Sequence, residues 1–376
     1  MKIAIGLAAL IVAGLLYANF GNQPAPIPQS MQAYQLLQHG PYKVRAEKLE
    51  LSDERRSIPA NGDYAGNPVR QFDLYLWTPA NRPAQAMPLV VYSHGFMSTG
   101  LGGRYLGEYL ASHGYTVASA TYPLTHYGAP GGPFVGDVVN QPGDVSFIID
   151  TLLQRNSDAA DRLYQTIDPA RVAAAGLSLG GLTTKLAAFH PRNADKRIAT
   201  AISIAGPSYP FAKRFYSERT IPFMMIATPQ DAMVSYEDNA ANMLDKVSGA
   251  ILVTIDGASH AGFSAMARWL RWFDNPDSLG CDALMKNVDL EADISWYDLL
   301  GGPEIGVNPA EAPAMCDMDP LPAAMNPLRQ HQLTTLAVGS FLNCHFLLDD
   351  QAASENCRYL RDTLAREFQE VSVRAG

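Results

Sequence analysis

The sequence has few cysteines and no excess of basic residues, and both shortages limit what the protein can be. Only four cysteines stand among 376 residues, without the Cys/His spacing of a zinc site. Lysine and arginine number 28 against 37 acidic residues, which gives a formal net charge of −9. Nucleic-acid binding requires a basic surface, so this composition argues against it. Internal repeats and a dinucleotide-binding glycine pattern are also missing, and the sequence implies no metal and no cofactor.

The chain does have enough apolar residues for a sizeable core. Hydrophobic residues make up 47% of it, and short apolar runs typical of buried strands alternate with helical segments. This alternation predicts an α/β fold, with a mostly parallel central sheet, helices on both faces and a C-terminal helical extension.

One serine lies between two glycines at a strand-to-helix junction. Gly176 to Gly180 reads G-L-S-L-G, directly after an apolar run at 172–175 and before a helical segment at 181–189. Two glycines allow a turn tight enough to expose the hydroxyl of Ser178, as in the nucleophile elbow of an α/β-hydrolase. Ser178 is therefore the candidate nucleophile.

A serine nucleophile needs a base and an acid, which follow it along the chain in this fold. Asp231 comes just after the apolar run 221–227, and His260 lies on a small-residue loop after the apolar run 250–255. We interpret Asp231 as the acid and His260 as the base. The alternatives are that Asp231 caps the helix near Tyr236, and that Asp256 is the acid.

Two backbone N–H groups should stabilise the oxyanion of such a reaction. Leu179, the residue after the nucleophile, supplies one. The loop after the third strand supplies the other, and here Ser93-His94-Gly95-Phe96 follows the apolar run 88–92, which indicates Phe96. His94 precedes the nucleophile and is expected to brace this loop by hydrogen bonding.

These motifs resemble those of bacterial predicted dienelactone hydrolases, which group with platelet-activating factor acetylhydrolases within the α/β-hydrolases. The resemblance lies in residues 92–96, 106–118, 141–153 and 176–181, and it spans roughly residues 65–265. It implies Ser178 as nucleophile, Asp231 as acid, His260 as base, and Phe96 and Leu179 as oxyanion donors. True dienelactone hydrolases carry a cysteine nucleophile, so the resemblance does not define the substrate.

The N-terminus has the pattern of an export signal. Lys2 precedes an apolar run from Ile3 to Leu16, so residues 1–20 are predicted to be a signal peptide or an N-terminal membrane anchor, with a linker at 21–40. Either alternative leads to a periplasmic or secreted protein, and residues 3–18 would attach it to the inner membrane if they are retained.

The remaining chain, 41–376, is predicted to be the catalytic domain. Within it, 275–327 reads as an insertion, either a lid or pocket wall or a surface extension, and 328–371 as C-terminal helices. All four cysteines follow His260. An even number in an exported chain favours two disulfides, and the shortest loops pair Cys281 with Cys316 and Cys344 with Cys357; four free thiols are the alternative.

Together these features predict an exported serine carboxylic-ester hydrolase that forms an acyl-enzyme from a small-molecule or lipid-like ester. A serine peptidase or amidase with the same triad is an alternative. A binding protein on an inactive hydrolase fold is another, and the presence of all three triad residues argues against it.

Overall fold

A nine-stranded sheet runs through the computed structural model, which describes residues 17, 19–287, 299–308 and 313–376. The strands are β1 (Val44–Asp53), β2 (Arg70–Pro79), β3 (Met87–Ser93), β4 (Thr116–Thr121), β5 (Ile167–Leu177), β6 (Ile198–Ile204), β7 (Phe223–Ala227), β8 (Ile251–Ile255) and β9 (Val371–Ala375). Their order in the sheet is β1-β2-β4-β3-β5-β6-β7-β8-β9. The neighbours from β4 to β8 pair in parallel, whereas β1, β2 and β9 pair antiparallel at the two sides.

Helices cover both faces of this sheet. The α-helices in the described ranges are α1 (Gln32–Leu36), α2 (Arg104–Ser112), α3 (Gln141–Ser157), α4 (Leu179–Phe189), α5 (Lys213–Tyr216), α6 (Tyr236–Asn239), α7 (Met243–Lys246), α8 (Asp277–Asn287), α9 (Pro327–Phe346), α10 (Asp350–Arg358) and α11 (Leu364–Glu367). Short 3₁₀ helices occupy Gly100–Gly103, Val135–Asn140, Ala261–Phe263, Ala265–Trp269 and Pro303–Ile305, and a π-helical turn occupies Tyr359–Thr363. The predicted α/β-hydrolase architecture is confirmed.

The parallel strands are buried on both faces, which explains their continuous apolar sequences. Every residue of β7 and of β8 is buried. Side chains that alternate along the strands enter two separate core clusters, one on each face of the sheet. The loops that follow these strands are therefore anchored on a rigid layer.

The segments at the two ends of the chain pack against each other. Residues 21–40, expected to be a linker, include α1, and the Glu367 carboxylate accepts the backbone N–H groups of Gln32 and Ala33 at 2.6 and 3.0 Å. Beyond the predicted C-terminal helices, the structure adds β9, a strand that the sequence analysis did not predict. Five residues with one apolar alternation give too weak a signal for a strand, and β9 forms by pairing with β8.

Two disulfides are formed, with the pairing that the sequence favoured. Cys281 bonds Cys316 and Cys344 bonds Cys357, with Cα atoms 5.6 and 4.7 Å apart. The first joins α8 to the chain beyond Pro313, and the second joins α9 to α10. Residues 288–298 and 309–312 of the predicted insertion lie outside the described residues, so its role as a lid stays a prediction.

Candidate active site

The candidate site residues follow four parallel strands that end at one edge of the sheet. Phe96 comes after β3, Ser178 after β5, Asp231 after β7 and His260 after β8. The carboxyl ends of parallel strands meet at the same edge, which is where ligands bind in open α/β sheets. The fold therefore brings together residues that are far apart in the sequence.

Ser178 occupies a sharp turn between β5 and α4. Its φ of 55° and ψ of −121° lie in a region that residues other than glycine rarely adopt. The flanking glycines make the turn possible, since a Cβ on Gly176 would lie 2.2 Å from the Gly180 carbonyl oxygen and a Cβ on Gly180 would lie 2.0 Å from the Ser93 carbonyl oxygen. Strained backbone of this kind is typical of functional positions.

The loop after β3 lies directly against the serine. A Cβ built on Gly95 would stand 3.2 Å from Ser178 Cβ, so the chain at 95–96 passes beside Ser178. Among the described residues, neither the Phe96 N–H nor the Leu179 N–H has a hydrogen-bond acceptor. Two unpaired donors beside a half-buried serine are what an oxyanion would need.

His94 braces this loop, as the sequence predicts. Its Nδ1 donates to the Gly95 carbonyl at 2.8 Å, and its Nε2 accepts the Tyr122 N–H at 3.0 Å. Burial lowers the pKa of His94 to about 4, so the ring stays neutral with both nitrogens occupied. His94 therefore has no nitrogen left to act as a base.

Asp231 and His260 form a buried pair. His260 Nδ1 donates to Asp231 Oδ2 at 2.8 Å, while Asp231 Oδ1 accepts the N–H groups of Met233 and Val234 at 2.9 and 2.7 Å. The carboxylate is thus oriented by its own loop. With Nδ1 protonated, Nε2 is the basic nitrogen of the ring.

The surroundings favour a positive charge on His260. Burial alone lowers the pKa of the imidazole, but the charge of Asp231, its hydrogen bond and the charge of Asp277 outweigh burial and raise it. The ring is consequently a better proton acceptor than an isolated buried histidine.

Two other observations concern the alternative acid and the contact between the candidate nucleophile and the candidate base. Asp256, the alternative acid, is exposed and accepts a hydrogen bond from Gln230 at 2.9 Å instead of contacting His260. The structure has no hydrogen bond between Ser178 Oγ and His260; in sites without substrate this bond is often long.

Sequence reasoning missed Asp277. This buried residue at the start of α8 accepts the backbone N–H groups of His260 and Ala261 at 3.0 and 2.7 Å. Its local sequence, Asn275-Pro276-Asp277, is an ordinary helix start, so the contact with the His260 loop depends on tertiary packing that no local pattern reveals.

Comparison with known proteins gives a family. A family model described as "PETase: PET hydrolase-like" matches residues 72–271, more than half of the chain. The chain belongs to this family. The matched range of the PET hydrolase-like family contains Phe96, Ser178, Asp231 and His260, and it ends just before α8.

A solved structure agrees with the fold. The ferulic acid esterase from Streptomyces cinnamoneus superposes with a TM-score of 0.52 at 17% identity, over 81% of this chain and 91% of that one. No curated protein matches the chain. The α/β-hydrolase resemblance is confirmed, and this member of the PET hydrolase-like family is an ester-hydrolysing enzyme.

Proposed function

We propose that the protein is an exported serine carboxylic-ester hydrolase with Ser178 as nucleophile, His260 as base and Asp231 as acid. The observation that carries the proposal is the 2.8 Å hydrogen bond from His260 Nδ1 to Asp231 Oδ2, at the sheet edge where Ser178 stands in its strained turn. An oriented base and a serine hydroxyl at one edge of the sheet are what acyl transfer requires.

In the acylation step, Ser178 Oγ attacks the ester carbonyl carbon and His260 Nε2 takes the hydroxyl proton. The carbonyl oxygen becomes an oxyanion, and the N–H groups of Phe96 and Leu179 stabilise it. Asp231 stabilises the imidazolium that forms. The tetrahedral species then collapses: the ester C–O bond breaks, the alcohol oxygen receives the proton from His260, and Ser178 is left acylated.

Deacylation repeats the same steps with water. His260 removes a proton from a water molecule whose oxygen attacks the acyl carbon, and the same two N–H groups hold the second oxyanion. When the bond to Ser178 Oγ breaks, His260 returns the proton to the serine and the carboxylic acid leaves. Neither half-reaction requires a metal or cofactor.

The comparisons support several classes of ester as the substrate. The family model is named for PET hydrolases, and the structural neighbour is a ferulic acid esterase, so aromatic esters belong beside the small or lipid-like esters that the sequence suggests. The fold alone does not choose among them.

The first test is hydrolysis by the chain from residue 25 onward and by its Ser178→Ala variant. The substrates are p-nitrophenyl esters from acetyl to palmitoyl, a feruloyl ester and PET film. We expect Ser178-dependent turnover, lost in the variant because the attacking oxygen is gone, and unchanged in Ser157→Ala, which alters an exposed serine. Turnover that survives in Ser178→Ala would refute the nucleophile, and cleavage of peptides alone would favour the amidase alternative.

Export and membrane attachment are part of the proposal. Two disulfides favour an oxidising compartment. No helix in the described part of the chain has the length and apolar character needed to cross a bilayer. Tyr17, next to the apolar run 3–16, stacks on Trp272 at 4.5 Å, and Phe20 and Trp269 are exposed. Aromatic rings of this kind are common where a protein meets a membrane surface.

Cell fractionation tests this part. The full chain is expected in the inner-membrane fraction, released by detergent but not by salt, whereas a chain exported by a cleavable signal and starting at residue 25 is soluble in the periplasm. A shortened, soluble product of the full chain would mean that residues 1–20 are removed. Recovery in the cytosol with four free thiols would refute export.

A further inference from the structure

Asp277 accepts hydrogen bonds from the backbone next to Asp231 and from the backbone at His260. Its Oδ2 accepts the His260 N–H at 3.0 Å and the Ala232 N–H at 3.3 Å, and its Oδ1 accepts the Ala261 N–H at 2.7 Å. Ala232 directly follows Asp231. A single carboxylate that is fully buried therefore joins the acid loop to the base loop.

The helix that carries Asp277 is tied to the same place. Cys281, one turn further along α8, is bonded to Cys316, and the Cys316 N–H donates to the Ala232 carbonyl at 2.6 Å. Both polar groups of the Ala232 backbone are thus held from the segment after His260, the N–H by Asp277 and the carbonyl by Cys316. The predicted insertion begins with a structural support for the triad.

The negative charges of two carboxylates affect the protonation of the His260 imidazole. Asp231 approaches Nδ1 from the loop after β7, and Asp277 lies behind the ring's own backbone at the start of α8; the charge of each favours the protonated ring. Two further ionisable groups packed on this loop bond to its carbonyls: His331 of α9 to Ser264 at 2.9 Å and Tyr105 of α2 to Phe263 at 3.2 Å.

We propose that Asp277 is a positioning residue for the triad, which fixes the acid and base loops and places a second negative charge behind His260, and that the Cys281–Cys316 disulfide keeps its helix there. The inference rests on the proposed function. Asp277 neither touches substrate nor exchanges a proton. When His260 takes the proton of Ser178, both carboxylates stabilise the new positive charge.

The test is the pH dependence of the rate at which a fluorophosphonate labels Ser178. Labelling needs neutral His260, so the rate falls as the pH drops through the pKa of the imidazole. Asp277→Asn keeps the size of the side chain but removes its charge, so the acidic limb of the profile should move to lower pH. The plateau rate should fall by roughly 10–100-fold, the usual loss when a hydrogen-bonded partner behind a functional histidine is removed from a metal site.

Two disulfide variants separate the effect of the Cys281–Cys316 disulfide on His260 from an effect on overall stability. Cys281→Ala/Cys316→Ala changes no charge but releases α8, so its acidic limb should move in the same direction by less. Cys344→Ala/Cys357→Ala breaks the other disulfide, which joins α9 to α10, and should leave the limb unchanged. Asp137→Asn, which removes a different buried carboxylate, should lower stability without moving the limb.

The readout is an exponential rate constant, so misfolded molecules reduce the amplitude and not the rate. If Asp277→Asn gives no reactive protein, the Cys281→Ala/Cys316→Ala variant alone decides the question. If the acidic limb of Asp277→Asn stays at the wild-type pH, the positioning role is overturned. The same result in Cys281→Ala/Cys316→Ala overturns it when Asp277→Asn cannot be measured. Failure of the wild type to label, or labelling that survives in Ser178→Ala, would instead overturn the proposed function and this inference with it.

Discussion

Two of the groups of buried charged side chains differ in the cation that they contain. In the first, Arg70 at the start of β2 donates to both oxygens of Asp144 at 2.6 and 2.7 Å and to both oxygens of Asp137 at 3.1 and 2.8 Å. Burial lowers the pKa of Arg70, but the charges and hydrogen bonds of Asp144 and Asp137 outweigh burial and raise it. The Arg70 guanidinium is therefore always charged, and it bonds both carboxylates directly.

The second group surrounds His260, which is a cation only when its imidazole is protonated. Burial lowers the pKa of His260, but the charges of Asp231 and Asp277 and the hydrogen bond to Asp231 outweigh burial and raise it. The pKa of Asp277 is raised, because burial and the charge of Asp231 together outweigh the charge of His260 and two backbone hydrogen bonds, which lower it.

The difference separates two uses of buried charge. A guanidinium between two carboxylates secures the packing of β2 against α3, and its charge never changes. Two carboxylates around one imidazole favour its protonated form, which is the form that the proposed mechanism creates when His260 takes the proton of Ser178. The first arrangement should contribute to stability and the second to rate.

The largest expected effect concerns rate. Asp231→Asn should lower kcat by roughly 10⁴-fold, as at the corresponding position of serine proteases, because the amide favours the wrong tautomer of His260. Steady-state hydrolysis of p-nitrophenyl butyrate measures it. Asp256→Asn is the matched control and should stay within about twofold of wild type, since Asp256 is exposed and bonds Gln230. The reverse ranking would make Asp256 the acid.

The next effect concerns stability. Arg70→Met should lower the free energy of unfolding by about 3–5 kcal/mol, because it leaves the buried Asp137 carboxylate without its cation and Asp144 with Arg56 alone, at 2.8 Å. Urea denaturation measures the loss, and kcat per molecule titrated by fluorophosphonate should not change. Arg104→Met, which breaks an exposed pair with Glu108, should cost only about 0.5 kcal/mol. Equal losses in the two variants would remove the distinction between the groups.

The sequence predicts the sheet and its elbow well because the signals there are local. The pattern around Ser178 combines a buried strand, two glycines and a helix between residues 172 and 189, and the structure has each of them. The strands before Asp231 and His260 are short, fully buried runs that a sequence of this kind defines clearly. The roles of the three residues stay predictions.

What escaped prediction depends on contacts between distant segments. Asp277 lies 17 residues beyond His260, at a helix start that looks like any other, and its contacts exist only once α8 packs on the His260 loop. The strand β9 likewise takes its conformation from pairing with β8. In both cases tertiary structure decides and local propensity carries little information.

The pairing of β9 with β8 also orders events during synthesis. β8, which leads into the His260 loop, has no neighbour on its outer side until residues 371–375 have been made, more than a hundred residues after β8 itself. Through that interval its open edge is a template on which another chain can add a strand. Residues 371–375 therefore close this side of the sheet, beside the candidate site, long after β8 has been made.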